Sequence, residues 1–228
     1  MKKLLLVSFL AVAALSVSAQ TIAKWTFETS VPAGAPGAGV WLTNIAAEIG
    51  SGTASGFHAG AATYSNPSGN GSAESFSSTT WAIGDLYQFV ASTVGYSGTG
   101  FTFDQVSSTS GPRDFDLRYS TDGSTFTTFA SYIVKSNAAP NPVWNSGTSS
   151  SLYTYAFDLS SVTALNNQPT VYFRLVDVST ASAGGGAPSA AGASRLDNVE
   201  IAVVPEPSTV SFIVVCGLLR LIFLRRRP

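Results

Sequence analysis

The sequence predicts an all-β body, an antiparallel β-sandwich. Three observations carry this. Short runs of alternating apolar and polar residues recur along the chain. Gly-rich turns separate them. No strand–helix–strand rhythm and almost no helical apolar period interrupts them.

Residues 21–27 open the body as a strand, with Ala23, Trp25 and Phe27 on one face and Lys24 and Thr26 on the other. Glu28 ends it. Residues 31–40 are a Pro/Gly/Ala loop. Residues 41–49 carry apolar side chains at mixed spacing and read as a short helical turn. Residues 51–71 are Gly-rich, with a short strand expected around 57–64. Further strands are expected at 73–76, 86–91 and 96–106. The clearest unit is a hairpin over 114–133. Phe115, Leu117 and Tyr119 alternate with Asp114, Asp116 and Arg118, and Thr121-Asp122-Gly123 supplies the turn. The odd spacing of Phe126 and Phe129 predicts a bulge in the returning strand. Strands follow at 153–159, 171–178 and 195–203, the last two separated by a Gly/Ala/Ser loop at 181–193. Asp197 shares strand parity with Val199, Ile201 and Val203, which points it toward the core. No internal repeat is visible.

The two ends differ from this body. Residues 1–19 have the three regions of a secretory signal peptide: Lys2 and Lys3, an apolar centre over 4–15, and the small-residue site Val17-Ser18-Ala19. Residues 204–228 read Val-Pro-Glu-Pro-Ser-Thr, then an apolar run, then Arg225, Arg226 and Arg227. The run is about 15 residues, or about 22 Å of helix, short of the roughly 20 residues that span a bilayer core. Arg220 falls near its end, where a long side chain snorkels. The run leaves no polar face, so a helix crossing the membrane is expected rather than one lying on it. The arginines should stay cytoplasmic. Pro205, Glu206 and Pro207 continue neither strand nor helix and form a stiff, exposed hinge.

Pro-Glu-Pro, a short apolar helix and a terminal Arg cluster, in that order, resemble the PEP-CTERM sorting signal of bacteria. That resemblance implies an exosortase-type membrane enzyme as a partner, which recognises the motif and removes the helix. The expected organisation is a signal peptide (1–19), a sandwich domain (20–203) and a sorting signal (204–228). The localisation it implies is an inner-membrane precursor, then the cell surface or extracellular matrix.

Between the ends, about 185 residues suffice for one cored domain. Residues 20–204 hold 12 acidic and six basic residues. A body with that balance and scattered Lys and Arg lacks the basic patch that nucleic acid requires. Ser and Thr make up about a quarter of it, as suits exposed strands and turns. The one cysteine, Cys216, lies in the apolar tail, so no disulfide staples the body.

Catalytic signals are missing. His58 is the one histidine, set in a Gly-rich loop, and reads as exposed; no Gly-x-Ser-x-Gly turn accompanies it. Zinc lacks ligands. No phosphate loop is present. Two carboxylates would serve a glycoside hydrolase, but Glu28, Glu48, Glu74 and Asp85 are scattered without pattern. No catalytic residue is assigned and no enzyme activity is expected. Trp41, Trp81 and Trp144 fall in loop-like stretches, where they either cap the core or stack on sugar rings.

The opening Trp25-Thr26-Phe27-Glu28 and the closing segment 195–201 resemble the ends of jelly-roll domains of the galactose- and carbohydrate-binding kind. That resemblance implies a structural Ca²⁺ held by an early Glu and a late Asp, here Glu28 and Asp197. Hydrogen bonds to Asp197 are the alternative. The leading expectation is an exported, non-catalytic envelope or matrix protein. The alternatives are a carbohydrate-binding module acting on matrix polysaccharide and, last, an exported glycoside hydrolase. One prediction follows directly: N-terminal sequencing of the exported protein should begin at Gln20, and retention of Met1 would refute the signal-peptide reading.

Overall fold

A computed structural model describes residues 19–205. Residues 1–18 of the predicted signal peptide and the predicted membrane helix, with Glu206, Pro207 and the terminal arginines, lie outside the described residues. The strands are β1 (Gln20–Trp25), β2 (Leu42–Ala46), β3 (Ile49–Gly50), β4 (Gly52–Phe57), β5 (Tyr64–Ser65), β6 (Phe76–Thr79) and β7 (Leu86–Ala91). They continue as β8 (Tyr96–Ser107), β9 (Asp114–Ser120), β10 (Thr127–Ile133), β11 (Thr154–Asp158), β12 (Val171–Asp177) and β13 (Ala193–Pro205). Two single 3₁₀ turns are the helical elements among the described residues.

The strands form two antiparallel sheets, as the alternation predicts. Sheet A runs β11-β8-β13-β1-β3, with β6 pairing the other half of β13 and β5 pairing β6. Sheet B runs β10-β9-β12-β7-β4-β2. β13 borders β8 from Ser194 to Pro205, so Pro205 closes a strand in the backbone ladder. On its other edge β13 pairs β6 through Ala193–Leu196 and β1 through Val199–Val203.

The inner faces meet in an aromatic core. Trp25 packs edge-on to Phe89 at 5.1 Å, Phe89 tilts against Phe101 at 5.8 Å, and Phe101 stacks on Phe173 at 4.9 Å. A second run links Phe76, Tyr87, Trp81 and Phe115 at 4.7–5.5 Å. These rings interlock across the two sheets, and each such pair adds about 0.5–1.5 kcal/mol beyond burial.

Several expectations need correction. The first strand stops at Trp25, because Phe27 takes a left-handed φ of 60°, though Phe27 remains buried. Residues 41–49 form no helical turn. They supply β2, whose mixed apolar spacing comes from a register shift at Asn44 (φ 67°). The strand expected over 57–64 splits: β4 lies before it, hidden by its glycines, and β5 only begins at Tyr64. The hairpin and its bulge appear where predicted, with the shift between Thr128 and Ala130, and Gly123 adopts the left-handed φ of 71° its turn needs.

Phe101→Ala should remove about 3–5 kcal/mol, since Phe101 is fully buried between Phe89 and Phe173. Urea denaturation reads this as a lower midpoint at unchanged slope.

Candidate functional site

A sandwich has two outer faces, and this one covers them unequally. The outer face of sheet A is roofed near the start of β13. Val106, Trp144 and Tyr153 form a small second core there. Trp144 meets Tyr153 at 5.4 Å, and its Nε1 donates to Ser68 O at 2.6 Å.

The outer face of sheet B is different. Strand alternation sends Val171, Phe173 and Leu175 of β12 inward and leaves Tyr172 and Arg174 outward. Register then places Arg118, Arg174, Gln88 and Ser55 in one row across β9, β12, β7 and β4. Arg174 Nε donates to Gln88 Oε1 at 2.8 Å. Its Cζ lies 3.6 Å from the Phe126 ring centroid and 5.6 Å from that of Trp41. Trp41 packs on Phe57 at 5.0 Å. β2 and β12 are three places apart, about 14 Å, so both long side chains must lie along the face to meet. All four of Trp41, Phe57, Phe126 and Arg174 are half-buried.

Beside this group, Arg118 Nη2 pairs with Asp116 Oδ2 at 2.8 Å, and Ser131 Oγ donates to Asp116 Oδ1 at 2.7 Å. Burial acts to raise the Asp116 carboxyl, but Ser131 and Arg118 outweigh it and hold it below its ordinary value. Arg174 is pushed down, first by burial and then by Arg118 opposite it. Flat rings next to amide and guanidinium groups can stack on the apolar face of a sugar ring and hydrogen-bond its hydroxyls.

Of the three loop tryptophans, Trp81 and Trp144 are buried and Trp41 alone joins this face. Sequence reasoning missed Phe57, Phe126, Gln88 and Arg174. The available signal was the alternation of β12, which turns Arg174 outward between two core residues.

The pair Glu28 and Asp197 reaches a single loop. Glu28 Oε1 accepts from Glu74 N–H at 2.9 Å. Asp197 Oδ2 accepts from Asn70 N–H at 2.7 Å and Ser72 Oγ at 2.5 Å, and Oδ1 accepts from Asn198 N–H at 2.7 Å. Parity misplaced Asp197. Asn198 takes a left-handed φ of 49° and the register shifts there, so Leu196 and Val199 both face the core and Asp197 faces outward under the loop. Gly69 passes so close that a Cβ would lie 2.2 Å from Asp197 Oδ2. Burial pushes the Asp197 carboxyl up to about 6 against its three donors. N–H and O–H donors occupy both oxygens, and no group of three or more His, Cys, Asp or Glu side chains converges among the described residues. This donor set suits a hydrogen-bonded carboxylate. It does not supply the six to eight oxygens calcium takes.

His58 is not exposed; it is 1% accessible. Its ring lies 4.5 Å from Trp81 and 5.6 Å from Tyr64. Nδ1 faces two acceptors, Asp85 Oδ2 at 3.0 Å and Thr80 O at 3.2 Å, so Nδ1 carries a proton. Nε2 meets Ser78 Oγ at 3.0 Å. Serine, histidine and aspartate thus line up as in a hydrolase triad. Ser78 and Asp85, however, have no exposed surface, and Ser78 sits in the ladder of β6 instead of on an open turn. Asp85 also accepts from Ala59 N–H at 2.8 Å and Ala82 N–H at 2.7 Å. The three residues form a clasp holding two loops to β6.

No protein-family model matches the chain, and no curated protein does. Among solved structures, it is similar to CtCBM11 at 12% identity and a TM-score of 0.40, covering 86% of this chain and 99% of that one. It is similar to the K1 cleaved adhesin domain of Lys-gingipain from Porphyromonas gingivalis W83 at 16% identity and a TM-score of 0.38, covering 61% and 82%. It is also similar to TmCBM61, solved with β-1,4-galactotriose, at 10% identity and a TM-score of 0.37, covering 66% and 86%.

The buried acids predict an unusual pH profile. Burial pushes Asp177 up to about 6, opposed by Ser179 and aided by Asp85. The folded chain therefore holds this proton at pH values where the unfolded chain has lost it. Stability falls as pH rises from about 4 to about 6, on the order of 3 kcal/mol at about 1.4 kcal/mol per pKa unit. Asp197 adds in the same direction. Asp177→Asn keeps an acceptor for Ser179 N–H, so it should remove about half of the fall in denaturant midpoint between pH 4.5 and 6.5. Parallel profiles for the two proteins would contradict this.

Proposed function

We propose that the chain is an exported, non-catalytic protein that binds polysaccharide in the cell envelope or extracellular matrix. The observation that carries this is the aromatic and guanidinium cluster on the outer face of sheet B: Trp41, Phe57 and Phe126 around Arg174, beside Gln88. Saccharides present flat C–H faces and a rim of hydroxyls, and this face offers rings and polar groups in reach of one another. Hydrolysis would need two carboxyls flanking the sugar. Asp116 is tied to Arg118 and Ser131, and Asp114 at the end of the face is tied to Arg113. The sequence of the ends supports the rest of the reading. The signal peptide exports the chain, and the Pro205-Glu206-Pro207 tail delivers it to an exosortase-type enzyme.

The test is retention of the detergent-solubilised full chain in polysaccharide affinity gels. Trp41→Ala should weaken retention at least about fivefold, given roughly 1–3 kcal/mol for a stacking ring, with an unchanged circular dichroism spectrum. Trp144→Ala, on the opposite sheet, should lower stability and leave the affinity of the folded fraction intact. Equal loss in both variants, or retention by no polysaccharide, would remove sheet B as the binding face.

A further inference from the structure

We infer that this face selects an acidic polysaccharide, with the Arg174 guanidinium taking the carboxylate of a uronic acid residue. The inference rests on the proposed sugar-binding role and names its ligand class. Three features of this face and one of the whole body support it. First, Arg174 stands directly opposite Arg118 in register. Like charges so placed repel. Second, the neighbourhood is one negative charge short. Asp116 neutralises Arg118, while the one hydrogen-bond partner of Arg174 among the described residues is the neutral Gln88. No ion pair among the described residues includes Arg174.

Third, the guanidinium is pre-oriented. Nε is fixed by Gln88, and the Phe126 ring lies 3.6 Å from Cζ, with Trp41 further off at 5.6 Å. Its two Nη groups have no acceptor among the described residues. Such a fork fits a carboxylate through two parallel N–H···O bonds. Fourth, the body around it carries 12 acids against six bases. A diffuse attraction for polyanions is therefore absent, and charges beyond about 8 Å are screened at physiological salt. Affinity for an acidic polymer then depends on a local group such as this one. Burial and the Arg118 charge already depress the Arg174 pKa, and the negative charge of an arriving carboxylate would act against that shift. Trp41, 5.6 Å from the guanidinium, is then placed to stack on the ring that bears the carboxylate or on its neighbour.

The experiment compares polygalacturonate with the same polymer after its carboxyls are reduced to alcohols. Binding of each to the full chain is measured by titration calorimetry at 0.15 M salt. The expected result is at least about tenfold tighter binding of the acidic polymer, with no variant required. Arg174→Gln should erase that preference, bringing the affinity for the acidic polymer down to that for the reduced one. Arg174→Lys keeps the charge without the fork and should restore only part of it. Equal affinity for both polymers would overturn the inference and leave the sugar-binding reading standing. Binding of neither would overturn both. A preference that survives in a folded Arg174→Gln protein would also overturn it.

Discussion

One left-handed residue governs how the sandwich uses its faces. At Asn198 the backbone of β13 turns through a φ of 49° and the register with β8 slips. Leu196 before it and Val199 after it both enter the core, and Asp197 between them is turned out. A buried outward carboxylate must be satisfied. It gathers the loop that holds Asn70 and Ser72, and Ser68 of the same loop receives the Trp144 indole N–H. The outer face of sheet A is covered there as a consequence. Sheet B has no equivalent kink in its central strands, and the rings and guanidinium of its outer face stay half-exposed.

The strands legible in the sequence are those whose partners leave alternation undisturbed. β7, β9 and β12 lie inside sheet B, with an apolar residue at every second position, while the edge strand β10 is legible through its turn and its bulge. β2 was misread because Asn44 breaks its parity, and β4 because glycine supplies no side chain to read. Asp197 failed for the same reason as β2: a parity argument assumes an unbroken strand. His58 failed for another. Composition placed it in a loop, but burial depends on Ser78 and Asp85, 20 and 27 residues further along the chain, and on Trp81 covering the ring.

The candidate site was legible only in part. Trp41 was visible as one of three tryptophans outside strands, yet nothing local separates it from Trp81 and Trp144. Its distinction is tertiary: it lies beside β4, opposite Phe57, and reaches Arg174 across two intervening strands. Arg174 itself looks like any polar residue alternating with core positions. Only register shows that it faces Arg118.

The charges of the body then sort by location. Several acids are consumed in holding loops. Asp85 accepts from Ala59 and Ala82, Asp122 from Ser124 and Thr125, Glu48 from Thr26, Thr29 and Ser30, and Asp197 from Asn70 and Asn198. Their negative charge is spent on backbone N–H groups and is directed at no partner. Net charge is thus a poor guide to what this protein meets, because a sum over residues weights a clamped carboxylate and an open guanidinium equally. A ligand experiences the local field, and on the outer face of sheet B that field comes from Arg174, Arg118 and Asp116. Two positive charges and one negative leave the face locally cationic on a body whose total is acidic. Solvation favours leaving such a cation exposed, so its half-burial between Phe126 and Trp41 is costly. That cost is offset only in part by the ring faces, and an anion bound there would offset the remainder.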